Sequence, residues 1–202
     1  MSENQLISAA FPNNISLYIK REDLLHPIIS GNKFRKLKYN LEEAKKQNQK
    51  VLLTFGGAFS NHIVAVAGAG KEFGFKTIGI IRGNELQDKI AENPSLLQAQ
   101  QLGMKFVFVT REQYRLKESA NFIQQIQKDF GNFYLLPEGG TNQLAIKGCE
   151  EILTETDAEF THVCASVGTG GTITGIINSS NPRQQIIGFS SLKGDFLQKD
   201  IA

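Results

Sequence analysis

The chain has no tryptophan, two cysteines, two methionines and three histidines among its 202 residues. Cys149 and Cys164 lack C-x-x-C spacing, which argues against both a disulfide framework and a thiolate metal site. His26, His62 and His162 carry no metal-ligand spacing and no H-E-x-x-H, so no metal centre is expected. Charge of one sign is also missing: 22 Lys and Arg stand against 20 Asp and Glu, a net charge of +2. That balance gives no reason to expect a nucleic-acid or membrane surface. The first ten residues carry no positive charge and no long apolar run, so neither a leader nor a membrane span is expected, and the cytoplasm is the default compartment. No serine sits in a G-x-S-x-G elbow, since Ser60 lies in Gly-Ala-Phe-Ser-Asn. The adjacent acids Glu42-Glu43 and Glu150-Glu151 point different ways on helices and read as solvated faces.

What is present is an alternation of apolar strands and helical stretches. Residues 51–55, 77–81, 105–109, 133–136, 162–167 and 185–189 predict strands, and the helical stretches between them imply an α/β chain with parallel sheets covered by helices. With 41% hydrophobic residues the chain can bury one large core or two small ones.

Three segments carry chemistry. In Ile29-Ser-Gly-Asn-Lys33-Phe-Arg-Lys36-Leu37, the spacing of Phe34, Leu37, Leu41 and Ala44 predicts a helix that starts after the Ser-Gly-Asn turn. Lys33, Arg35, Lys36 and Lys38 then crowd an end that favours anions. Either the cluster is solvated, or an anionic ligand sits there and one lysine is held partly neutral, a state in which the amine is a nucleophile. In the second segment, strand 162–167 runs into Gly168-Thr169-Gly170-Gly171-Thr172 and a helix start. That arrangement can cradle a phosphate on backbone N–H groups. It matches neither G-x-G-x-x-G nor a Walker A loop, so the phosphate need not belong to a nucleotide. The third segment, Thr54-Phe-Gly-Gly-Ala-Phe-Ser60-Asn61-His62, also follows a strand. Ser60 is placed to cap a helix that ends at Gly74, and a hydroxyl, an amide and an imidazole meet at its mouth.

Taken in order, these motifs resemble the pyridoxal-phosphate enzymes of fold type II, the tryptophan-synthase-beta-like fold. The similarity is greatest to the branch containing D-cysteine desulfhydrase and 1-aminocyclopropane-1-carboxylate (ACC) deaminase. Tyr18-Ile-Lys-Arg-Glu-Asp-Leu24 and Pro137-Glu-Gly-Gly-Thr-Asn142 add to the likeness, which covers essentially the whole chain. The resemblance implies that Lys33 carries pyridoxal 5'-phosphate covalently and moves protons at the substrate alpha carbon. It implies that Lys36 and residues Gly168, Thr169, Gly170, Gly171 and Thr172 hold the phosphate, and that Asn61 meets the ring hydroxyl. Ser60, Asn61 and His62 would contact a small amino-acid substrate, with Ser60 on its carboxylate. In this family His after Ser-Asn marks desulfhydrase-like members and Gln marks deaminases, so His62 favours D-cysteine desulfhydrase, with ACC deaminase the alternative. A phosphate-metabolite-binding module without catalysis is a further alternative. The resemblance also implies a homodimer, and a smaller unit (41–136) inserted into a cofactor-binding domain made of 1–40 and 137–202. Family members continue past Asp200-Ile201-Ala202, so the C-terminal part of that domain, with the pyridine-nitrogen partner and a substrate-side tyrosine, is expected to be missing from this chain.

Overall fold

A computed structural model describes residues 2–191; Met1 and residues 192–202, which the sequence reading assigns to the cofactor-binding domain, lie outside the described residues. The chain opens with two short antiparallel strands, β1 (Asn4–Leu6) and β2 (Tyr18–Lys20), which the hydrophobic pattern does not reveal. Their polar residues anchor them. Asn4 and Lys20 both donate to Asp157 at 2.9 Å, whose carboxylate in turn accepts from the Thr154 backbone.

Helix α1 (Asn32–Lys46) follows Gly31, whose positive φ of 61° makes the turn into the helix. Then come β3 (Val51–Gly56), α2 (Asn61–Phe73), β4 (Lys76–Arg82), α3 (Pro94–Gln101), β5 (Lys105–Val109), α4 (Arg111–Arg115), α5 (Ala120–Phe130) and β6 (Tyr134–Leu136). All six predicted strands form. The first four of them make a parallel sheet in the order β5-β4-β3-β6. Period-2 alternation sorts its side chains: Leu52 joins Leu37, Leu41, Ile63 and Val66 on one face, while Leu53 and Phe55 join Ile78, Ile80 and Ile126 on the other. Helix α2 lies close because two glycines allow it. A Cβ at Gly68 would meet Ile28 at 2.6 Å, and one at Gly70 would meet Thr77 at 2.3 Å.

The chain then forms α6 (Gln143–Cys149), β7 (His162–Val167), α7 (Gly171–Ser179) and β8 (Gln185–Ser190), with β7 and β8 parallel. The expectation of a buried strand at 162–167 needs correction. Val163 and Ala165 pack with Ile186 on Cys149, Ile152 and Ile176, whereas Cys164 is exposed and Phe189 is 60% exposed. Among the described residues, helices cover only one face of this pair of strands. No helix among them is long and apolar enough to cross a membrane.

The topology fixes where a ligand can sit. The chain steps from β3 outward to β4 and β5, then returns to place β6 on the other side of β3. In an open parallel sheet, the crevice beyond the carboxyl ends at such a reversal is the natural binding place. The 56–60 loop and the 138–140 turn leave the ends of β3 and β6 there.

Candidate active site

The four cations at the start of α1 are sorted by the structure. Arg35 donates to Glu22 at 2.9 and 3.0 Å and lies 3.5 Å from Glu151; Lys38 pairs with Glu151 at 2.7 Å. Glu151, read from sequence as part of a solvated face, is thus a counter-ion that also accepts from the Tyr39 hydroxyl. Lys33 and Lys36 have no carboxylate partner among the described residues, and both are buried, Lys36 to 2% exposure. They sit one turn apart on one face of the helix.

Both amines point at the same carbonyl. Lys33 Nζ lies 3.4 Å and Lys36 Nζ 3.2 Å from Gly139 O. Lys36 also reaches Thr141 Oγ1 at 2.8 Å and Thr169 Oγ1 at 3.4 Å, and those hydroxyls lie 2.6 Å apart. One ammonium and two hydroxyls therefore converge beside the Gly168–Gly170 turn, with no acid among them. Burial lowers the Lys33 amine below the ordinary lysine range. Burial, and then the neighbouring Lys33 charge, lowers Lys36 to about 8. The solvated alternative for the cluster is thereby removed for these two lysines.

The glycines keep the space open. A Cβ at Gly139 would meet Thr169 at 2.8 Å, one at Gly171 would meet Thr141 at 2.7 Å, and one at Gly140 would meet the His62 ring at 2.8 Å. Gly139, Gly140 and Gly170 all have positive φ, where a side chain would be strained. Thr172 is drawn aside: its hydroxyl accepts from Asn32 at 2.7 Å.

His62 is 1% exposed. Its Nε2 lies 2.8 Å from Thr54 Oγ1, and that hydroxyl donates to Leu136 O at 3.0 Å. A hydroxyl has one proton, so Nε2 carries the hydrogen and Nδ1 is a bare acceptor. Nδ1 is buried without a partner among the described residues. Burial, Lys33 and Lys36 all hold the imidazole neutral, well below its usual range. Thr54 lies on the same face of β3 as Leu52, which is why it meets α2. Ser60 caps α2 as expected, accepting from Ile63 N at 3.4 Å, and Gly74 ends that helix with φ of 77°. Asn61 is exposed and its side chain makes no hydrogen bond to a described residue; Phe59 beside it is 76% exposed.

The structure thus gathers Lys33, Lys36, Thr169 and the glycine turn, with His62 behind them. Thr141 and the Gly139 carbonyl are additions that motif reading did not single out. The signal was available, because Gly139-Gly140-Thr141 repeats the Gly170-Gly171-Thr172 pattern.

A buried pair of lysines without acids, at a helix start facing a glycine turn beyond parallel strands, has the chemistry that a phosphorylated, amine-reactive cofactor requires. The family described as pyridoxal-phosphate dependent enzyme matches residues 5–201, and the chain belongs to it. The bifunctional D-cysteine desulfhydrase/1-aminocyclopropane-1-carboxylate deaminase of Arabidopsis thaliana is 31% identical over 182 residues, 82% of this chain and 45% of its own length. A Thermotoga maritima protein provisionally named 1-aminocyclopropane-1-carboxylate deaminase is 35% identical over 80% of this chain and 53% of its own. The D-cysteine desulfhydrase of Yersinia enterocolitica is 24% identical over 85% and 56%. The chain spans about half the length of these relatives. The crystal structure of an ACC deaminase homologue shares the fold, with a TM-score of 0.78 at 24% identity over 99% of this chain and 63% of that one.

The residues fit the cofactor. A phosphate needs converging donors without acids, which Lys36, Thr141 and Thr169 supply. Covalent attachment needs a buried amine with lowered proton affinity, which Lys33 supplies.

Proposed function

We propose that this chain is the cofactor-binding part of a lyase or deaminase acting on a small amino acid. The first choice is a D-cysteine desulfhydrase-like reaction, which with water yields pyruvate, sulfide and ammonia. The observation that carries the proposal is the convergence of the acid-free amines of Lys33 and Lys36 on Gly139 O. In this reading Lys36, Thr169 and the 168–172 backbone bind the phosphate, joined by Thr141, and Asn61 binds the ring hydroxyl. Lys33 carries the cofactor and then moves a proton at the substrate alpha carbon. A lowered pKa suits that task, because an amine that gives up its proton more readily than an ordinary lysine can both accept and return one. Ser60 at the mouth of α2 binds the substrate carboxylate, aided by the helix dipole. His62, neutral and pinned by Thr54, offers an acceptor and adds no third charge beside the lysines. When bound, pyridoxal phosphate supplies the electron sink for charge developing at the alpha carbon. His62 after Asn61 supports the desulfhydrase. The ACC deaminase names among the relatives support the second reading, in which 2-oxobutanoate and ammonia are released. The proposal includes a cytoplasmic homodimer with residues 41–136 as the inserted unit.

The test is borohydride reduction after incubation with pyridoxal phosphate, followed by peptide mapping, then turnover of D-cysteine and ACC. Label on Lys33, absent in Lys33→Ala, is the expected result. Label elsewhere, or none, overturns the assignment.

A further inference from the structure

The turn at residues 138–140 is packed on three sides: Gly139 against Thr169, Gly140 against His62, and the Gly139 carbonyl against the two lysines. Its internal bond runs from Gly140 N to Pro137 O at 2.9 Å. The fourth side is Glu138, and what surrounds it is unusual. Glu138 Oε2 lies 3.4 Å from Lys117 Nζ. The Lys117 amine lies 5.2 Å from the centre of the Tyr114 ring, and the Arg82 guanidinium lies 5.6 Å from the same centre, both within cation–π range. Tyr114 is 3% exposed, and its hydroxyl is buried with no hydrogen-bond partner among the described residues. Burial and the Glu138 charge push its phenol above the ordinary range. Arg82 also backs onto the 56–60 loop, with its Nη2 3.4 Å from where a Gly57 Cβ would be. A cluster from β4, α4 and the turn after α4 therefore touches both loops that flank the candidate site.

We propose that Glu138 is a positioning residue: held by Lys117 and facing the buried Tyr114 hydroxyl, it fixes the Gly139–Gly140 turn so that one carbonyl meets the amines of Lys33 and Lys36. The buried phenol explains the arrangement. A buried hydroxyl without a partner is costly, and the Glu138 carboxylate is the charge that reaches it. Exposed ion pairs alone hold little. Glu138, however, has a cation and the charge-sensitive buried phenol on one side and two residues of positive φ on the other. Loosening it frees the turn and lets water reach amines whose low proton affinity comes chiefly from burial.

The functional meaning rests on reading Lys33 and Lys36 as cofactor lysines, but the test needs no cofactor. Competitive acetylation across pH, read by mass spectrometry of the Lys33 and Lys36 peptides, reports each amine's midpoint. In the parent chain the expected midpoint of Lys36 is about 8. In Glu138→Gln that midpoint rises towards the ordinary lysine value, and reactivity at neutral pH falls by at least about threefold, since each tenfold change corresponds to one pH unit. Glu138→Asp retains the charge and recovers part of the difference. Glu85→Gln, which breaks an exposed pair with Arg111, leaves the midpoint unchanged. A folded Glu138→Gln with the parent's midpoint overturns the proposal, as does an equal rise in Glu85→Gln. Should Glu138→Gln fail to fold, Lys117→Met is read in the same way, and an unchanged midpoint there overturns it.

Discussion

In the proposed function Lys36 binds the cofactor phosphate, while its buried charge costs the ligand-free protein stability, and Lys36→Met makes that trade measurable. Its native amine has a pKa of about 8 against the ordinary 10.5. At about 1.4 kcal/mol per tenfold change in proton affinity, that is a penalty of about 3 kcal/mol. The sign follows from which state holds the proton more tightly. Above 10.5 both states are neutral and there is no penalty. Between 10.5 and about 8 the unfolded chain is protonated while the native amine is not, so stability falls as pH falls; below 8 the loss is constant. Methionine fills a similar volume, removes the charge, and gives up the bonds to Gly139 O and Thr141, which are worth about 1 kcal/mol each, together with the long, weak contact to Thr169 at 3.4 Å. Thr141 and Thr169 keep each other. The net expectation is that Lys36→Met is more stable than the parent by about 1 kcal/mol in urea unfolding near pH 7 without phosphate, and that it loses the stability change between about pH 8 and 10. It should also lose the stabilisation that pyridoxal phosphate gives the parent by mass action. A variant that is destabilised near pH 7, or that keeps the parent's pH slope, would refute the reasoning.

Two further substitutions probe the frame around the site. His62 is depressed in the native state, so the parent loses stability as pH falls below about 6.5, where the unfolded imidazole begins to bind a proton. His62→Leu leaves Thr54 bonded to Leu136 O and should show a shallower loss between about pH 7 and 5; equal slopes in thermal melts would place His62 outside that titration. Gly148→Ala would set a Cβ 2.0 Å from the Arg35 carbonyl oxygen, a backbone atom of α1 that cannot rotate away. The expected loss is about 3 kcal/mol or more, and a urea midpoint within about 1 kcal/mol of the parent would mean that α1 and α6 are not locked at this crossing.

Much of the architecture was legible because its determinants are local. The six strands announce themselves as apolar runs between turn residues, and Gly31, Ser60 and Gly74 mark helix ends by chemistry that acts within a few residues. β1 and β2 were not legible, because Asn4, Lys20 and Asp157 hold them through polar contacts across more than 130 positions, and no period in the sequence records such a contact. The one-sided burial of β7 was missed for the opposite reason. Val163, Cys164 and Ala165 are all compatible with a core, and only the placement of α6 and α7 decides which face is covered.

The candidate site shows the same division at a finer grain. Lys33 and Lys36 were visible as charges at a helix end that repels them, but the four cations could not be sorted from their order in the chain. Glu22 and Glu151, 13 and 116 positions from Arg35, neutralise it and Lys38, and the lysines that remain are those that reach the turn beyond the end of β6. Once acids are supplied to the outer pair only, the inner pair keeps an unbalanced charge that a bound anion can balance. The glycine turns then follow as a steric requirement, because two chain segments must approach one amine from opposite strands. Gly139 and Gly171 are each packed against the threonine of the other's loop, Thr169 and Thr141. This mutual interlock closes the donor set around Lys36, and a Cβ at either glycine would force apart the hydroxyls that now lie 2.6 Å from one another.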